Sequence, residues 1–353
     1  MTADDIRALA RECGFELAGV AAAAPAADRS EYHAWATAGF AGRMSYLTDR
    51  RAAVRDDPRH LLPAARSIVS VGKLYHTPRP LSTESAGRAA GWISRYAWGL
   101  DYHDVMRRGL ARLAARHAQD LGAAVESKIC ADTAPLLERS YARLAGLGWI
   151  GRNTCLINQA AGSWFFLGEL LLSIEIAPDG PPPDRCGTCR RCIDACPTQA
   201  IVPFGGRHAV DSRLCISYLT IELRGAIPEE RRAGNGAHIF GCDICQDVCP
   251  WNRRAPFTAE PGFEARHFAP SLELMASLSE VEFAETFSGT PVSRVRYSGF
   301  LRNVAVAMGN HPLSRFRPAL RKLAQLEDRM VAEHAAWALT RLNACHGEAP
   351  RGA

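Results

Sequence analysis

Two cysteine runs in the middle of the chain restrict its fold more than any other feature. One run has the spacing Cys-x2-Cys-x2-Cys-x3-Cys-Pro, the other has Cys-x2-Cys-x3-Cys-Pro, and one more cysteine lies between them. The members are Cys186, Cys189, Cys192, Cys196, Cys215, Cys242, Cys245 and Cys249. Eight thiolates are what two 4Fe–4S clusters need, and the terminal Cys-Pro is typical of two-cluster ferredoxins. This segment is therefore predicted to fold as loops and short helices around metal.

Each cluster is expected to draw cysteines from more than one part of the chain. In two-cluster ferredoxins the last cysteine of the longer run ligates the other cluster. The first predicted set is Cys186, Cys189, Cys192 and Cys249. The second predicted set is Cys196, Cys215, Cys242 and Cys245. Cys215 completes the second set because Ile239 stands where the shorter run lacks its first cysteine. Such clusters carry single electrons, so the sequence predicts electron transfer.

Structural zinc and disulfides are the alternative interpretations of these cysteines. A zinc site uses two separated pairs and gives the Cys-Pro endings no role, and a chain of 353 residues does not need disulfides in order to fold. The cysteines outside the two sets are Cys13, Cys130, Cys155 and Cys345. Each lies in an apolar stretch, and a buried, inert thiol is the expected state of all four.

Length and periodicity divide the chain into three predicted domains. Its 353 residues, 47% of them apolar, exceed what one core usually holds. Residues 1–178 alternate helix and strand patterns and are predicted to form an α/β (α+β) catalytic domain. Residues 179–256 contain the cysteine runs and follow a proline-rich linker. Residues 257–353 show helical periodicity that is typical of a helical repeat unit.

Hydropathy and charge say little about partners except in one segment. No apolar stretch approaches the roughly 20 residues of a membrane span, and the N-terminus has no signal-peptide pattern or twin arginine. We therefore expect a cytoplasmic protein, in which thiols stay reduced.

Between Thr286 and Leu326 there are seven Lys or Arg residues and no Asp or Glu. This stretch is either a phosphate-backbone contact or a solvated helix face.

Asp132 begins the densest group of polar and glycine residues in the first domain. As an isolated residue it is most simply interpreted as the cap of the helix that follows. The Gly-x-Gly-x-x-Gly run from Gly146 to Gly151 has the spacing of a dinucleotide loop. That run ends a predicted helix instead of opening one after a strand, so we reject a nucleotide site there.

Asp101 and His103 form half of the cobalamin-binding Asp-x-His-x-x-Gly motif. Met106 replaces its glycine, and we do not expect His103 to be a lower ligand of the cobalt. The pair is interpreted either as a capped helix start or as a polar contact to a bound cofactor or base.

Five segments together resemble the epoxyqueuosine reductases of tRNA modification. They are Tyr96 to His103, Asp132-Thr-Ala-Pro to Glu138-Arg139, Gly146-Leu-Gly-Trp-Ile-Gly, Cys215 to Glu222 and Gly241 to Asn252. The resemblance extends over nearly the whole chain. It implies a nitroreductase-like domain that binds cobalamin, a ferredoxin-like domain with two 4Fe–4S clusters, and a short HEAT-like C-terminal unit that contacts tRNA.

The activity implied by this resemblance is removal of the epoxide oxygen of epoxyqueuosine at the wobble position of tRNA, the last step of queuosine biosynthesis. The clusters would reduce cobalamin to its cob(I) state, and a low-potential ferredoxin or flavodoxin would reduce the clusters. Asp132 matches the family's proton donor, for which a pKa raised by burial is expected. The further predicted cofactor contacts are Arg55, Arg139, Asn153 and Asp243. A monomer is expected.

Two other classes of protein share part of this pattern. A reductive dehalogenase also combines cobalamin with clusters, but it typically carries a twin-arginine signal that this sequence lacks. A ferredoxin-type electron carrier would explain the cysteine runs and would leave the first 178 residues without a role. Both remain alternatives on the sequence alone.

Overall fold

The computed structural model describes residues 2–84, 87, 89–121 and 125–346. The strands are β1 Leu17–Ala22, β2 Ser67–Leu74, β3 Trp92–Ile93, β4 Ser127–Cys130, β5 Trp149–Ile150, β6 Leu156–Ile157, β7 Phe165–Leu172, β8 Ile201–Phe204, β9 Arg207–Val210 and β10 His238–Phe240. The helices are α1 Ala3–Glu12, α2 Arg29–Thr37, α3 Arg51–Val54, α4 Tyr102–Leu121, α5 Glu138–Leu144, α6 Arg191–Asp194, α7 Glu229–Arg232, α8 Ile244–Asp247, α9 Leu272–Ser277, α10 Glu280–Thr286, α11 Tyr297–Asn310, α12 Arg317–Leu323 and α13 Arg329–His346. Among the described residues, no helix is both long and apolar enough to span a membrane.

The first region is built on a four-stranded sheet of order β1-β2-β7-β4. All three neighbouring pairs are antiparallel. The sheet is therefore of the α+β type, and the α/β alternative of the sequence analysis is wrong. Every residue of β2 is buried because both faces of the sheet are covered. A strand buried on both faces lacks the regular apolar–polar alternation of a half-exposed strand, so in a sequence it looks like a strand of a parallel sheet.

Alternate side chains of β7 enter two different cores. Phe166 and Leu170 pack on the side of α1 and α4, whereas Phe165 and Leu171 pack on the side of α5. Glu169 shares the α5 side because side chains alternate along a strand. The sheet register places it opposite residues of both neighbouring strands, β2 and β4. A carboxyl group thus lies inside the core, on the same side of the sheet as α5.

The helices of the C-terminal region appear where their periodicity predicts them. α11 is the central one, since every residue from Gly299 to Gly309 is buried. Within it, Arg302 is 0% exposed and donates hydrogen bonds to backbone carbonyl oxygens of the cysteine-rich region. These acceptors are Leu219, Leu223 and Gly225, at 2.6–2.8 Å. Arg302 is therefore an internal anchor and does not belong to a surface that contacts phosphates.

Asn303, the next residue of α11, joins two of the cysteine-bearing segments. Its side-chain amide donates to the carbonyl oxygens of Thr220 and Ile239, both at 2.8 Å. Thr220 follows Cys215 in the chain, and its hydroxyl also accepts the N–H of Gly241 at 2.9 Å. α11 thus holds the Cys215 segment and the strand before Cys242 in one fixed arrangement.

Candidate iron–sulfur sites and the Asp132 cleft

The structure brings the thiols of the second predicted set together. Burial raises the pKa of Cys242 well above its usual range, and the neighbouring thiols of Cys215 and Cys196 raise it further. The pKa of Cys245 is raised by a hydrogen bond with Cys155, by burial and by the Cys242 and Cys215 thiols. These mutual effects require close approach. We call Cys196, Cys215, Cys242 and Cys245 the inner set.

Backbone N–H groups support the inner set. The N–H of Ala200 lies 3.3 Å from the sulfur of Cys196. Burial raises the pKa of Cys215, while hydrogen bonds from the backbone of Ser217 and Tyr218 oppose the rise. Hydrogen bonds to cluster sulfurs are one of the means by which a protein sets a cluster's potential. The loops therefore provide hydrogen bonds of the kind that a cluster held by these thiols would receive.

The thiols of the first predicted set surround a cavity of about 380 Å³. We call Cys186, Cys189, Cys192 and Cys249 the outer set. Burial and the three neighbouring thiols raise the pKa of Cys192 to about 11. Among the described residues, no three His, Cys, Asp or Glu side chains converge on one metal ion. Four thiols spread around a cavity fit a cluster, whose four irons each take one thiolate.

We call the contacting side chains of Asp101, Tyr102, His103, Asp132 and Arg294 the Asp132 cleft. Asp132 does not cap a helix. α5 begins at Glu138, six residues later, with Leu137 at its cap position. The φ angle of Asp132 is 57°, a left-handed conformation that Asp tolerates better than most residues. Its backbone N–H donates to Oε1 of Glu138 at 2.5 Å. The helix-cap interpretation is therefore wrong, and the carboxylate is free for another role.

The carboxylate of Asp132 is held by two neighbouring residues of α4. Its Oδ2 accepts the hydroxyl hydrogen of Tyr102 at 2.8 Å and lies 3.1 Å from Nε2 of His103. Half of the Asp132 side chain, 50%, remains exposed, while His103 is 8% exposed. A ligand can therefore reach the acid, whereas its hydrogen-bonding partners are fixed within the protein.

The electrostatics of this cleft differ from the sequence expectation. Burial alone raises the pKa of Asp132, but the hydrogen bonds from His103 and Tyr102 and the charge of Arg294 outweigh it, and the pKa is lowered. Burial lowers the pKa of His103, but its hydrogen bonds to Asp101 and Asp132 prevail and raise it. The expected rise for Asp132 is wrong because the prediction considered apolar neighbours alone. The shared proton is favoured on His103.

Asp101 and Arg294 complete this arrangement. Oδ1 of Asp101 lies 2.8 Å from Nδ1 of His103. Arg294 forms an ion pair with Asp101 at 3.0 Å, and the two residues are 193 positions apart in the chain. Burial raises the pKa of Asp101, but the hydrogen bonds from His103 and the charge of Arg294 outweigh this effect, and the pKa is lowered. Asp101 is thus held as an anion, and the group that carries a proton beside the exposed acid is His103.

A second pair of carboxyl groups lies behind Asp132. Glu169 is 0% exposed, and burial together with the charge of Glu138 raises its pKa well above the usual range. Burial and the charge of Asp132 raise the pKa of Glu138 to about 8. Neither Glu169 oxygen has a well-aligned hydrogen bond among the described residues. Its carboxyl group is nevertheless close enough to interact with that of Glu138, and both groups keep their protons. Asp132 therefore stands as the one ionised carboxylate of the three.

Arg139 and Asn153 belong to a series of contacts that joins α5 to the inner set. Arg139 is exposed and donates to the carbonyl and hydroxyl oxygens of Thr154. Asn153 is 4% exposed and donates to the carbonyl oxygen of Cys245 at 3.4 Å. Cys155 hydrogen-bonds the Cys245 thiol, which lowers the pKa of Cys155. Cys155 thus adjoins a predicted cluster ligand, and the expectation of an inert, isolated thiol is wrong for it.

Arg55 and Asp243 are occupied by protein contacts. Arg55 is 7% exposed and donates to the carbonyl oxygens of Tyr46 and Arg51 at 3.2 and 3.0 Å. Asp243 is 2% exposed and accepts hydrogen bonds from the first domain. Its donors are the Trp92 indole at 3.1 Å, the Ser94 hydroxyl, and the Arg95 N–H at 2.7 Å. These contacts favour a structural role for Asp243, since it ties the cysteine-rich region to the first domain.

Sequence reasoning did not assign several residues of the cleft. Tyr102 and Arg294 were missed, and His103 was left between two interpretations. Tyr46, near the Asp132 carboxylate, was not assigned either. Burial, and then the charges of Glu222 and Asp132, raise its pKa to about 12. Asp101 and His103 stood out as a polar pair after an aromatic stretch, but no pattern in the chain indicates which distant arginine completes them.

Comparison with known proteins agrees with this geometry. Residues 185–252 match the family model described as "4Fe-4S double cluster binding domain", and residues 55–133 match "Epoxyqueuosine reductase QueG, DUF1730". The epoxyqueuosine reductase of Xanthomonas campestris pv. campestris is 42% identical over 340 residues, covering 95% of this chain and 94% of that protein. The chain belongs to the epoxyqueuosine reductase family. The Escherichia coli K12 member is 38% identical over 97% of this chain and 91% of its own.

Solved structures of epoxyqueuosine reductases share the fold of this family member. One, a crystal structure with an epoxyqueuosine-modified tRNA-Tyr stem loop, has a TM-score of 0.86 and 30% identity over 96% of this chain and 90% of that one. The Bacillus subtilis enzyme, with its catalytic aspartate loop swung out of the active site, has a TM-score of 0.85 and 29% identity over 98% and 92%. The described sheet and C-terminal helices thus belong to a fold that these members of the family share.

Proposed function

We infer that this protein reduces epoxyqueuosine in tRNA to queuosine. The observation that carries this inference is an exposed carboxylate, Asp132, held by His103 and Tyr102 in a family member that also gathers two sets of four thiols. Loss of the epoxide oxygen to leave an alkene consumes two electrons and two protons and releases water. The protein must therefore supply protons at one place and electrons beside it.

When bound, the two clusters and cobalamin supply the electrons, since a cofactor of this kind carries the difficult chemistry. The thiols of the inner and outer sets would hold the clusters. Exposed Arg139 and the polar groups around Asn153 belong to the contacts that join α5 to the inner set, and such donors suit the amide-bearing edge of a corrin. Arg55 and Asp243 would support this site through their contacts to neighbouring segments.

Proton delivery is the part of the reaction that the chain's own residues perform. His103 holds a proton between Asp101 and Asp132, and Asp101 fixes the orientation of its ring. Nε2 of His103 gives its proton to the Asp132 carboxylate, which passes it to the leaving epoxide oxygen. The acid is thus the pair of Asp132 and His103, which explains how a carboxyl group with a lowered pKa acts near neutral pH.

We also propose the three-part organisation of the chain. Residues 1–178 form the nitroreductase-like cobalamin domain, residues 179–256 the ferredoxin-like domain, and residues 257–353 a short HEAT-like unit that contacts tRNA. In the last of these, Arg321 and Lys322 of α12 are exposed, so they are available to phosphates. Arg294 belongs instead to the cleft, where it pairs with Asp101.

The proposed setting of this activity is the cytoplasm, with the protein acting as a monomer. A relative solved with an epoxyqueuosine-modified tRNA stem loop supports tRNA as the substrate. The proposed electron source is a low-potential ferredoxin or flavodoxin.

Conversion of modified tRNA tests this function directly. Protein purified without oxygen and loaded with iron, sulfide and cobalamin is incubated with epoxyqueuosine tRNA and a photochemical reductant. Digestion of the tRNA should yield queuosine in place of epoxyqueuosine. Full cofactor loading without queuosine would overturn the proposal, and halide release from a haloaromatic compound by the same protein would favour a dehalogenase.

A further inference from the structure

The cavity at the outer set has a strongly basic rim. Its lining includes Arg152, Arg185 and Arg191 and contains no Asp or Glu. Arg185 and Arg191 are exposed, and neither forms an ion pair with a described carboxylate. Arg152 donates to the carbonyl oxygen of Gly187 at 2.6 Å, which fixes its charge beside the same loop. We call these three arginines the outer rim.

The carboxylates near the outer rim do not neutralise it. Asp194 forms an exposed ion pair with Arg190 at 3.3 Å, so it is balanced by a fourth arginine. The side chain of Asp184 accepts the N–H of Cys186 at 2.7 Å, and that bond directs it toward the loop backbone.

The outer rim also has apolar surface of the type found in protein interfaces. Pro250 is exposed and Trp251 is partly exposed beside the rim arginines. Tryptophan and arginine are enriched at the centre of protein–protein interfaces, and charged rims steer the approach of a partner. A phosphate backbone would use the arginines and gain little from the apolar residues. The combination therefore favours a protein partner over a nucleic acid.

The position of the outer set along the electron path indicates what this partner does. Cys155 hydrogen-bonds Cys245 of the inner set, and Arg139 of α5 holds the neighbouring Thr154, whereas the two exposed arginines of the rim lie beside the outer set. We propose that the outer rim is the docking surface of an acidic one-electron carrier protein of the flavodoxin type, and that electrons enter through the outer cluster. This proposal rests on the proposed function, because it needs both clusters in place.

The electron step itself is simple to balance. The reduced carrier loses one electron, the oxidised outer cluster gains that electron, and no bond or proton changes hands. The carrier returns for the second electron that the reaction consumes. Charge complementarity with an acidic carrier would mainly raise the association rate at low salt.

Charge reversal of the outer rim tests the proposal. The variant Arg185→Glu/Arg191→Glu is loaded with clusters and mixed anaerobically with photoreduced flavodoxin, and cluster bleaching is followed by stopped flow over a salt series. We expect the second-order rate at low salt to fall at least about tenfold, with a flatter salt dependence. The matched control is Arg108→Glu/Arg116→Glu, which reverses two exposed charges on α4 and should keep the wild-type rate.

Three further measurements separate the possible explanations. Iron content and reduction by photoreduced 5-deazaflavin should match the wild type, and queuosine formation with that small reductant should persist. If the double variant loses iron, Arg185→Gln and Arg191→Gln remove each charge singly and are tested in the same way. Wild-type rates with flavodoxin across the salt series would overturn the proposal. Unchanged reduction with a loss of tRNA affinity would also overturn it and assign the rim to phosphate contacts.

Discussion

Replacement of Asp132 by asparagine separates its chemistry from its position. Asparagine has nearly the same size and tolerates the left-handed φ of 57° seen at this residue. The N–H bond to Glu138 belongs to the backbone and is retained. The amide oxygen still accepts the Tyr102 hydroxyl hydrogen. The one property that disappears is the ability to take a proton from His103 and pass it to the substrate.

The expected size of the effect follows from this single loss. A positioned general acid contributes about 10² to 10⁴ in rate, which corresponds to about 2.7 to 5.4 kcal/mol of activation free energy. The free energy of unfolding should change by about 1 kcal/mol or less, since the carboxylate is 50% exposed. Asp132→Ala should lose as much activity and, in addition, about 1 to 2 kcal/mol of stability from the left-handed backbone.

Single-turnover conversion is the suitable assay. Excess enzyme, photochemically reduced, is mixed with epoxyqueuosine tRNA, and queuosine is measured after quenching at several times. A single turnover removes product release from the measured rate. Asp104→Asn is the matched control because Asp104 is exposed in the first turn of α4 and should show a wild-type rate.

One result would refute the reasoning about Asp132. If Asp132→Asn converts the substrate within about threefold of the wild-type rate, with full iron and cobalamin, then the acid contributes less than about 1 kcal/mol. The proton would then come from another group, and the contacts of Asp132 with His103 and Tyr102 would be structural. A loss of cobalamin in this variant would instead identify Asp132 as a binding residue.

Three other predictions follow from the same structure. Cys215→Ser should lower iron from about eight to about four per chain, and electron paramagnetic resonance signals of two intact clusters would contradict this. Although burial lowers the pKa of His103, its two carboxylate partners raise it, so turnover should fall as pH rises through that raised pKa, and His103→Gln should lack this alkaline limb. Arg321→Glu/Lys322→Glu should weaken tRNA binding and reduce its log–log salt slope by about one for each lost phosphate contact; an unchanged slope would mean a solvated face.

The cluster region was predictable because its information is local in the sequence. Cysteine spacing identifies the double-cluster region, and the assignment of Cys215 to the inner set, made because Ile239 stands where a cysteine is absent, stays a prediction. In the structure Ile239 is 0% exposed and packs in the core with the C-terminal helices. Where the chemistry is encoded in adjacent loops, a sequence pattern is enough to place it.

The acid site was only partly predictable because its members meet through tertiary packing. Asp132 stood out in a dense polar segment, but its pKa depends on His103, 29 positions earlier, and on Arg294.

The same limitation affected the basic segment from Thr286 to Leu326. Arg302 counted as a surface charge in the sequence, but α11 is surrounded by protein on all sides, and its guanidinium is satisfied by backbone carbonyls. Periodicity does not distinguish a buried cation that has partners from an exposed one.

The buried carboxyl pair of Glu138 and Glu169 explains why Asp132 alone is ionised. Burial and the neighbouring carboxylates raise the pKa of both groups, to about 8 for Glu138 and well above the usual range for Glu169, so each keeps its proton near neutral pH. Asp132, by contrast, has His103, Tyr102 and the charge of Arg294 to stabilise its anion. Glu138 also accepts the backbone N–H of Asp132. The side chain of Glu138 therefore keeps its own proton and at the same time holds the backbone of Asp132. Placement of the acid and control of its charge therefore depend on the same few contacts.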